Sequence, residues 1–165
     1  MNLKKKKIGI LGGSFDPAHK GHLAISKEAV KRFKLKKIIW AITKKNPFKK
    51  QSKIKVLDRI KFCNKLIGKN KFIKVQFYED RIKSNKIFDL INYLTKKQKY
   101  DIYFIMGADN LINFHKWYKW KSILQKCNIL VFDRHGYKKK SLNSMTFKRL
   151  KSCLLYTSPS PRDPS

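Results

Sequence analysis

Acidic side chains are scarce in this chain, which has 10 aspartates and glutamates against 41 lysines and arginines among 165 residues. Only six of the cations are arginines, so the formal net charge of +31 comes mainly from lysine. Such a surface attracts any anion, and phosphate-bearing metabolites are suitable partners. Many isoleucines and asparagines accompany the lysines, which is typical of a coding bias as well as of a nucleic-acid surface. The charge alone therefore favours a solvated basic surface over dedicated nucleic-acid binding, and leaves both open.

Cysteine is also rare, and long apolar runs are missing. Cys63, Cys127 and Cys153 are far apart and form no metal-ligand pair, so they are interpreted as reduced thiols. No apolar run reaches the length of a membrane span. The short apolar stretch after the first lysines is interrupted by Gly12 and Gly13, unlike a secretion signal. We expect a cytoplasmic protein with no membrane partner.

Apolar runs alternate with helical patterns from the start of the chain. The patterns predict strands over 7–11, 37–43, 72–77, 100–106 and 128–132, and helices over 22–33, 54–68, 86–97 and 118–125. Strands that alternate with helices predict right-handed crossovers and a parallel sheet covered on both faces. The fold class is therefore α/β, a Rossmann-like three-layer α/β/α domain. Ligands bind such sheets beyond the carboxyl ends of the strands.

The last residues differ in composition from the rest. Residues 155–165 contain three prolines, no lysine and no periodicity, which is typical of translated vector sequence. We predict one domain over 1–152 and a non-native, disordered tail over 153–165. The native chain is then expected to have been cut near Lys151 or Ser152.

The most informative segment is 12–22, which reads Gly-Gly-Ser-Phe-Asp-Pro-Ala-His-Lys-Gly-His. Glycines after a strand let the backbone approach a ligand closely. His19 and His22 lie three apart at the start of a helix and so share one face. Backbone amides, a helix N-terminus and two imidazoles favour a phosphate site. A metal ion would need further ligands, and no Cys, Asp or Glu stands at a suitable spacing nearby. A third interpretation is that one ring caps the helix while the other lies at the surface.

A family resemblance follows from this segment and a second one. Residues 12–22 resemble the signature of the His-x-Gly-His nucleotidyltransferases. The block Phe-Ile-Met-Gly-Ala-Asp-Asn-Leu at 104–111, with the aromatics that follow it, is similar to the nicotinate-nucleotide adenylyltransferases. Arg-His-Gly-Tyr at 134–137 continues the match, with His135 where the family usually has proline. The resemblance covers roughly residues 6–140.

The resemblance implies transfer of the adenylyl group of ATP to nicotinate mononucleotide, with release of pyrophosphate. It implies Mg²⁺ bound to the ATP phosphates as the cofactor, with few protein ligands, and no nucleic-acid partner. The alternatives are another adenylyltransferase of the superfamily, with nicotinamide mononucleotide or phosphopantetheine as acceptor, and a basic nucleic-acid-binding domain.

The resemblance also implies roles for individual residues. His19 and His22 are the expected catalytic residues, and the expected ATP site comprises Gly12, Gly13, Ser14, Phe15, His19, His22, Gly107 and Asp109. The expected acceptor site comprises Asn46, Lys49, Ile87, Asp109, Trp117, Tyr118 and Arg134. The ring of Trp117 would stack on the pyridine, and the amide of Tyr118 would bind the nicotinate carboxylate. From the residues alone, Asp109 could instead cap a helix over 110–114, the two aromatics could be core residues, and Lys49 could be a solvated charge.

The sequence departs from the family pattern at two places. Ile87 stands where the family has a substrate-contacting threonine in a Ser-x-Thr segment. The second phosphate motif of the family is not recognisable: residues 144–149 copy its Ser-x-Thr-x-x-Arg skeleton, but too soon after Tyr137. We expect that motif to have been lost with the native end, so that this chain binds nucleotide but turns over slowly.

Overall fold

A computed structural model describes residues 5–44, 54–97, 99–132 and 154–156. Its strands are β1 (Lys6–Gly13), β2 (Lys37–Ile42), β3 (Ile73–Gln76), β4 (Tyr100–Gly107), β5 (Asn128–Phe132) and β6 (Leu154–Tyr156). Its helices are α1 (Lys20–Phe33), α2 (Val56–Ile67), α3 (Glu79–Ile82), α4 (Ile87–Lys97), α5 (Ala108–Asn113) and α6 (Trp120–Lys126), with a 3-10 turn over Phe114–Lys116.

All neighbouring strands pair in parallel, in the order β3-β2-β1-β4-β5-β6. The chain thus adds β2 and then β3 on one side of β1, and afterwards adds β4, β5 and β6 on the other side. The sheet order reverses between β1 and β4, which is the ligand-binding position in open α/β sheets. The predicted Rossmann-like class is confirmed.

Two apolar clusters cover the two faces of the sheet. Side chains alternate between them along β1, β2, β4 and β5, so Ile10 belongs to one cluster and Leu11 to the other. The first cluster joins the sheet to α4, α5 and α6, and the second joins it to α1 and α2. Because both faces are buried, the strands appear in the sequence as continuous apolar runs rather than as alternating patterns.

The predicted strands and helices differ from the observed ones by at most two residues at their ends. Strand β1 continues through Gly12 and Gly13, which pair with Ala41 and Ile42 of β2, although the predicted strand ends at residue 11. Backbone hydrogen bonds decide this boundary, and glycine has the same amide and carbonyl as any other residue. The short α3 was not predicted, since four residues carry no helical periodicity. Gly68 ends α2 with a φ of 56°, as predicted.

Strand β6 lies within the range 153–165 that the composition assigned to a tail, and it pairs with β5 through Ile129, Leu130 and Val131. The boundary at residue 152 stays a prediction. Within the described ranges, no helix combines the length and apolar character needed to cross a membrane.

Gly9 offers a direct test of this packing. It lies buried in the central strand, and a Cβ there would be 3.0 Å from both Ile38 Cγ1 and Leu35 Cδ1 and 3.2 Å from Ile105 Cδ1. Gly9→Val should therefore lower the free energy of unfolding by about 1–3 kcal/mol through overpacking. Urea unfolding followed by circular dichroism measures the loss. The control is Lys74→Val on the exposed side of β3, and an equal effect in both variants would contradict the prediction.

Candidate functional site

The carboxyl ends of β1 and β4 bring the sequence-predicted segments together at the reversal of strand order. Gly12 and Gly13 end β1, Gly107 ends β4, and the backbone N–H of Thr43 after β2 donates to the Gly13 carbonyl at 2.9 Å. A Cβ at Gly12 would lie 3.6 Å from Ile87 Cδ1, so the start of α4 reaches the same edge.

His19 and His22 form a capping box at the start of α1. The Nδ1 of His19 accepts from the Gly21 N–H at 3.0 Å, and the Nδ1 of His22 accepts from the His19 N–H at 3.0 Å. Both rings thus take part in the cap, whereas the cap interpretation assigned this role to one ring only. An Nδ1 that accepts a hydrogen bond leaves the proton of a neutral imidazole on Nε2. Both rings are therefore held as Nε2–H donors, which suits an anionic ligand as well as a cap.

Gly21 has a steric role in this box. A Cβ there would lie 2.7 Å from His19 Cε1 and 2.8 Å from its Nδ1, closer than real contacts allow. The imidazole of His19 thus occupies the space that a side chain at residue 21 would fill. This explains the glycine between the two histidines without any need for an unusual backbone angle.

A column of aromatic rings supports the histidines from the core. Trp40 is fully buried in β2, and its ring stacks on Phe15 at a centroid distance of 5.1 Å. Phe15 in turn lies 4.8 Å from the His22 ring, which lies 3.9 Å from the His19 ring. Phe15 has a φ of 52°, a left-handed conformation that is uncommon outside glycine and is found at functional sites.

A buried hydrogen-bond relay fixes the same helix turn. Trp40 Nε1 donates to Ser26 Oγ at 2.8 Å, and Ser26 Oγ donates to the His22 carbonyl at 2.8 Å. The indole in the sheet is thereby tied to the first turn of α1, and sequence patterns gave no sign of Ser26.

Arg59 is the main functional candidate that the sequence patterns missed. Its side chain projects from α2 and is 3% exposed. The guanidinium donates to the carbonyls of Ser14 and Thr43 at 2.7 Å, of Lys44 at 3.0 Å and of Ile54 at 3.1 Å. One signal was available: Arg59 is four residues before the buried Cys63, so it occupies the apolar side of the helix.

A cleft opens beside this edge of the sheet. It is lined by residues from the end of β2, from α3 and from the start of α4, among them Thr43, Glu79, Ser84 and Ile87. Ser84 Oγ accepts from the Lys86 N–H at 3.0 Å and donates to Asp89 at 2.6 Å, which orders the start of α4. Ile87 therefore stands in a cleft, as a contact residue would.

Glu79 anchors the loop after β2 from within this cleft. Its Oε1 accepts from the Lys44 N–H at 2.9 Å, and the Lys44 ammonium pairs with Asp80 at 2.6 Å. Its Oε2 is buried without a hydrogen-bond partner. Burial raises the pKa of the Glu79 carboxyl above its ordinary value, and the hydrogen bond from Lys44 opposes the shift.

Comparison with known proteins assigns this arrangement to a family. The sequence matches the family model described as "Cytidylyltransferase-like" over residues 10–162. It is 71% identical over 147 residues to a Pelagibacter ubique (strain HTCC1062) protein described as "Probable nicotinate-nucleotide adenylyltransferase", covering 89% of this chain and 82% of the relative. The chain belongs to the nicotinate-nucleotide adenylyltransferase family.

Further relatives agree in name and in fold. An Agrobacterium fabrum (strain C58 / ATCC 33970) protein with the same description is 39% identical over 134 residues, covering 78% of this chain and 70% of that one. The solved Plasmodium falciparum nicotinic acid mononucleotide adenylyltransferase complexed with NaAD superposes with a TM-score of 0.76 over 96% of this chain and 77% of that one. At 17% identity, this likeness shows the shared fold.

Other site residues expected from the family have varied surroundings. Trp117 is half-buried at the edge of the core, with ring centroids 4.9 Å from Phe114 and 5.9 Å from Phe104. Tyr118 is 48% exposed and meets Phe88 edge-on. The core interpretation thus describes part of the Trp117 ring, and the ligand roles of both aromatics stay predictions.

Helix α5 corrects one interpretation of Asp109. The helix begins at Ala108 with Gly107 as its N-cap, so Asp109 lies in the first turn and does not cap a helix over 110–114. The glycine supplies the extended backbone that a cap position needs. The side chain of Asp109 lies outside the described part of the structure, as do Asn46, Lys49, Arg134 and residues 144–149.

Gly21→Ala should change the catalytic rate without unfolding the protein. The fold should persist, since alanine favours a helix over glycine by up to about 1 kcal/mol. The His19 ring must swing away from the new Cβ, so kcat/KM should fall by about a hundredfold, as for loss of one transition-state donor. Initial rates of pyrophosphate release and thermal unfolding measure both effects. Lys27→Ala on the exposed face of α1 is the matched control. A more stable variant with unchanged kcat/KM would refute the steric role.

Glu79→Gln tests the buried carboxyl. The pKa of Glu79 is higher in the folded state than in the unfolded state, where it is about 4.3. The contribution of Glu79 to the free energy of unfolding is therefore fully present below the unfolded pKa and is lost as the pH rises through the folded pKa. The amide removes this loss, so the variant should gain stability relative to the unsubstituted chain between acid and neutral pH. Urea unfolding at several pH values measures the difference, with Asp58→Asn on the exposed face of α2 as the control. A difference that is independent of pH would contradict the prediction.

Proposed function

We propose that this chain transfers the adenylyl group of ATP to nicotinate mononucleotide, giving nicotinate adenine dinucleotide and pyrophosphate in NAD biosynthesis. The observation that carries the proposal is the His19–His22 capping box at the sheet reversal, in a chain 71% identical to a relative named for this reaction. The unpaired buried thiols of Cys63 and Cys127 suit a reducing compartment, so we place the reaction in the cytoplasm.

The reaction needs alignment and charge stabilisation more than covalent chemistry. The phosphate of the mononucleotide attacks the α-phosphorus of ATP, the new P–O–P bond forms, and the bond to pyrophosphate breaks. The acceptor brings its own nucleophile, so the protein must hold two polyanions in line and stabilise the charge that develops.

The start of α1 supplies that stabilisation in our proposal. The Nε2–H groups of His19 and His22, the amides of Gly13 and Ser14, and the positive end of the helix would bind the ATP phosphates. The first turn of α1 contains no acidic residue, so no carboxylate on it opposes the anion. Gly12, Phe15, Gly107 and Asp109 complete the proposed ATP side.

The acceptor side is proposed at the other end of the same edge. Trp117 would stack on the pyridine, the Tyr118 amide would donate to the nicotinate carboxylate, and Ile87 would contact the base from the cleft. Asn46, Lys49 and Arg134 are proposed for the mononucleotide phosphate and ribose. Nicotinate mononucleotide and ATP are thus the proposed partners.

Mg²⁺ is proposed to enter with ATP. Within the described residues, no three His, Cys, Asp or Glu side chains are grouped as a metal site. A Mg²⁺ that keeps phosphate and water oxygens as its ligands, as that ion prefers, needs no such group of side chains. When bound, the ion neutralises phosphate charge, while His19 and His22 orient the oxygens around the reacting phosphorus.

The substrate assignment is tested by a coupled pyrophosphate assay with ATP and one acceptor at a time. Nicotinate mononucleotide should react fastest, ahead of nicotinamide mononucleotide and phosphopantetheine. Preference for the amide, or for phosphopantetheine, would overturn the assignment. Tight binding of RNA or DNA with a steep salt dependence, and no pyrophosphate release, would favour the nucleic-acid alternative.

His19→Ala and His22→Ala test the proposed catalytic pair. Each should lower kcat/KM by about 10²–10³, the usual cost of one donor to a developing oxyanion. Steady-state rates measure the loss, and Lys31→Ala in the exposed last turn of α1 is the control. Two histidine variants with the rates of the unsubstituted chain would remove these residues from the mechanism.

A further inference from the structure

Arg59 connects three segments of chain that the proposed reaction must hold together. Ser14 belongs to the loop after β1, Thr43 and Lys44 to the loop after β2, and Ile54 to the approach to α2. One guanidinium donates to a carbonyl in each of them, at 2.7–3.1 Å. The first loop carries the proposed ATP contacts, and the second leads directly to the segment with the proposed acceptor contacts Asn46 and Lys49.

The first two residues after β2 form further hydrogen bonds. The Thr43 N–H donates to the Gly13 carbonyl, and the Lys44 N–H donates to Glu79. The carbonyls of Thr43 and Lys44 accept from Arg59, so both the N–H and the carbonyl of these two residues are hydrogen-bonded. Loss of the Arg59 guanidinium would leave the carbonyls of Ser14, Thr43 and Lys44 without these donors at the same time, because one side chain binds all three.

The chemistry of the side chain also matters. Within the described ranges, no carboxylate forms an ion pair with Arg59, and its partners are neutral carbonyls. The buried Glu79 carboxyl is close enough for the charge of Arg59 to act against the rise of its pKa, so it supplies a negative charge near the guanidinium. A planar fork with five donors can serve several carbonyls in fixed directions, which the single ammonium of lysine cannot.

We propose that Arg59 is a positioning residue that locks the loop after β1 to the loop after β2, so that the two substrate phosphates meet in line. The inference rests on the proposed two-substrate reaction and adds the part of the chain that aligns it. Arg59 acts through the backbone of the two loops. Because a misplacement of about 1 Å can cost about 100-fold in rate, loss of the lock affects turnover before it affects the binding of either substrate.

Arg59→Lys keeps the charge and removes the fork. We expect kcat to fall at least tenfold, while the KM values for ATP and for nicotinate mononucleotide change less than threefold or rise together. Rates are measured well below the melting temperature of each variant, so that lost stability does not contribute. Arg32→Lys, on the exposed side of α1, is the matched control and should keep the kcat of the unsubstituted chain.

Two results would overturn the proposal. A kcat within twofold of the unsubstituted chain, whatever the melting temperature, would leave Arg59 a structural residue only. A rise in one KM alone, with kcat unchanged, would assign Arg59 to one loop. If the unsubstituted chain makes no nicotinate adenine dinucleotide, the proposed reaction is wrong. If Arg59→Lys has the kcat of the unsubstituted chain, only the positioning role of Arg59 is wrong.

Hydrogen exchange on the unsubstituted chain covers the case in which Arg59→Lys does not fold. A non-hydrolysable ATP analogue alone should slow amide exchange in peptides with Gly13 and Ser14 and also in peptides with Thr43 and Lys44. Nicotinate mononucleotide alone should do the same in both. Protection of one loop only by each ligand would contradict the lock.

Discussion

The position of β1 between β2 and β4 is the constraint on which the rest of this structure depends. β1 pairs in parallel with both neighbours, and its carboxyl end therefore lies beside the carboxyl ends of both. Parallel strands need long crossovers, and these place α1 on one face of the sheet and α4 on the other. The segments that resemble the family signatures are far apart in sequence, and this pairing alone makes them neighbours.

The fold could largely be predicted, because buried parallel strands leave continuous apolar runs and helices leave a 3.6-residue period. Strand β5 was predicted with the observed bounds. The ends of β1 and the short α3 depend on backbone hydrogen bonds, which single-sequence patterns do not encode. His19 and His22 were identifiable from their spacing at a helix start, with the cap as one of the interpretations.

Arg59 and Ser26 could not be identified in the same way. A lone arginine among many lysines resembles a surface charge until its burial is known, and the carbonyls that it binds have no side-chain signature. Ser26 is a common residue in a helix, and only the Trp40 indole on a distant strand gives its hydroxyl a role. Residues that act through tertiary contacts with the backbone are thus the ones that motif reasoning misses.

The ring column from Trp40 to His19 has a practical consequence. The Trp40 indole is sealed in the core, yet its ring lies 5.9 Å from the His22 ring and its N–H is tied to the same helix turn. Indole emission responds to nearby rings and hydrogen bonds. The protein therefore contains an intrinsic fluorophore next to the two histidines at which we propose that the ATP phosphates bind, and Trp40 emission offers a label-free signal for nucleotide binding there.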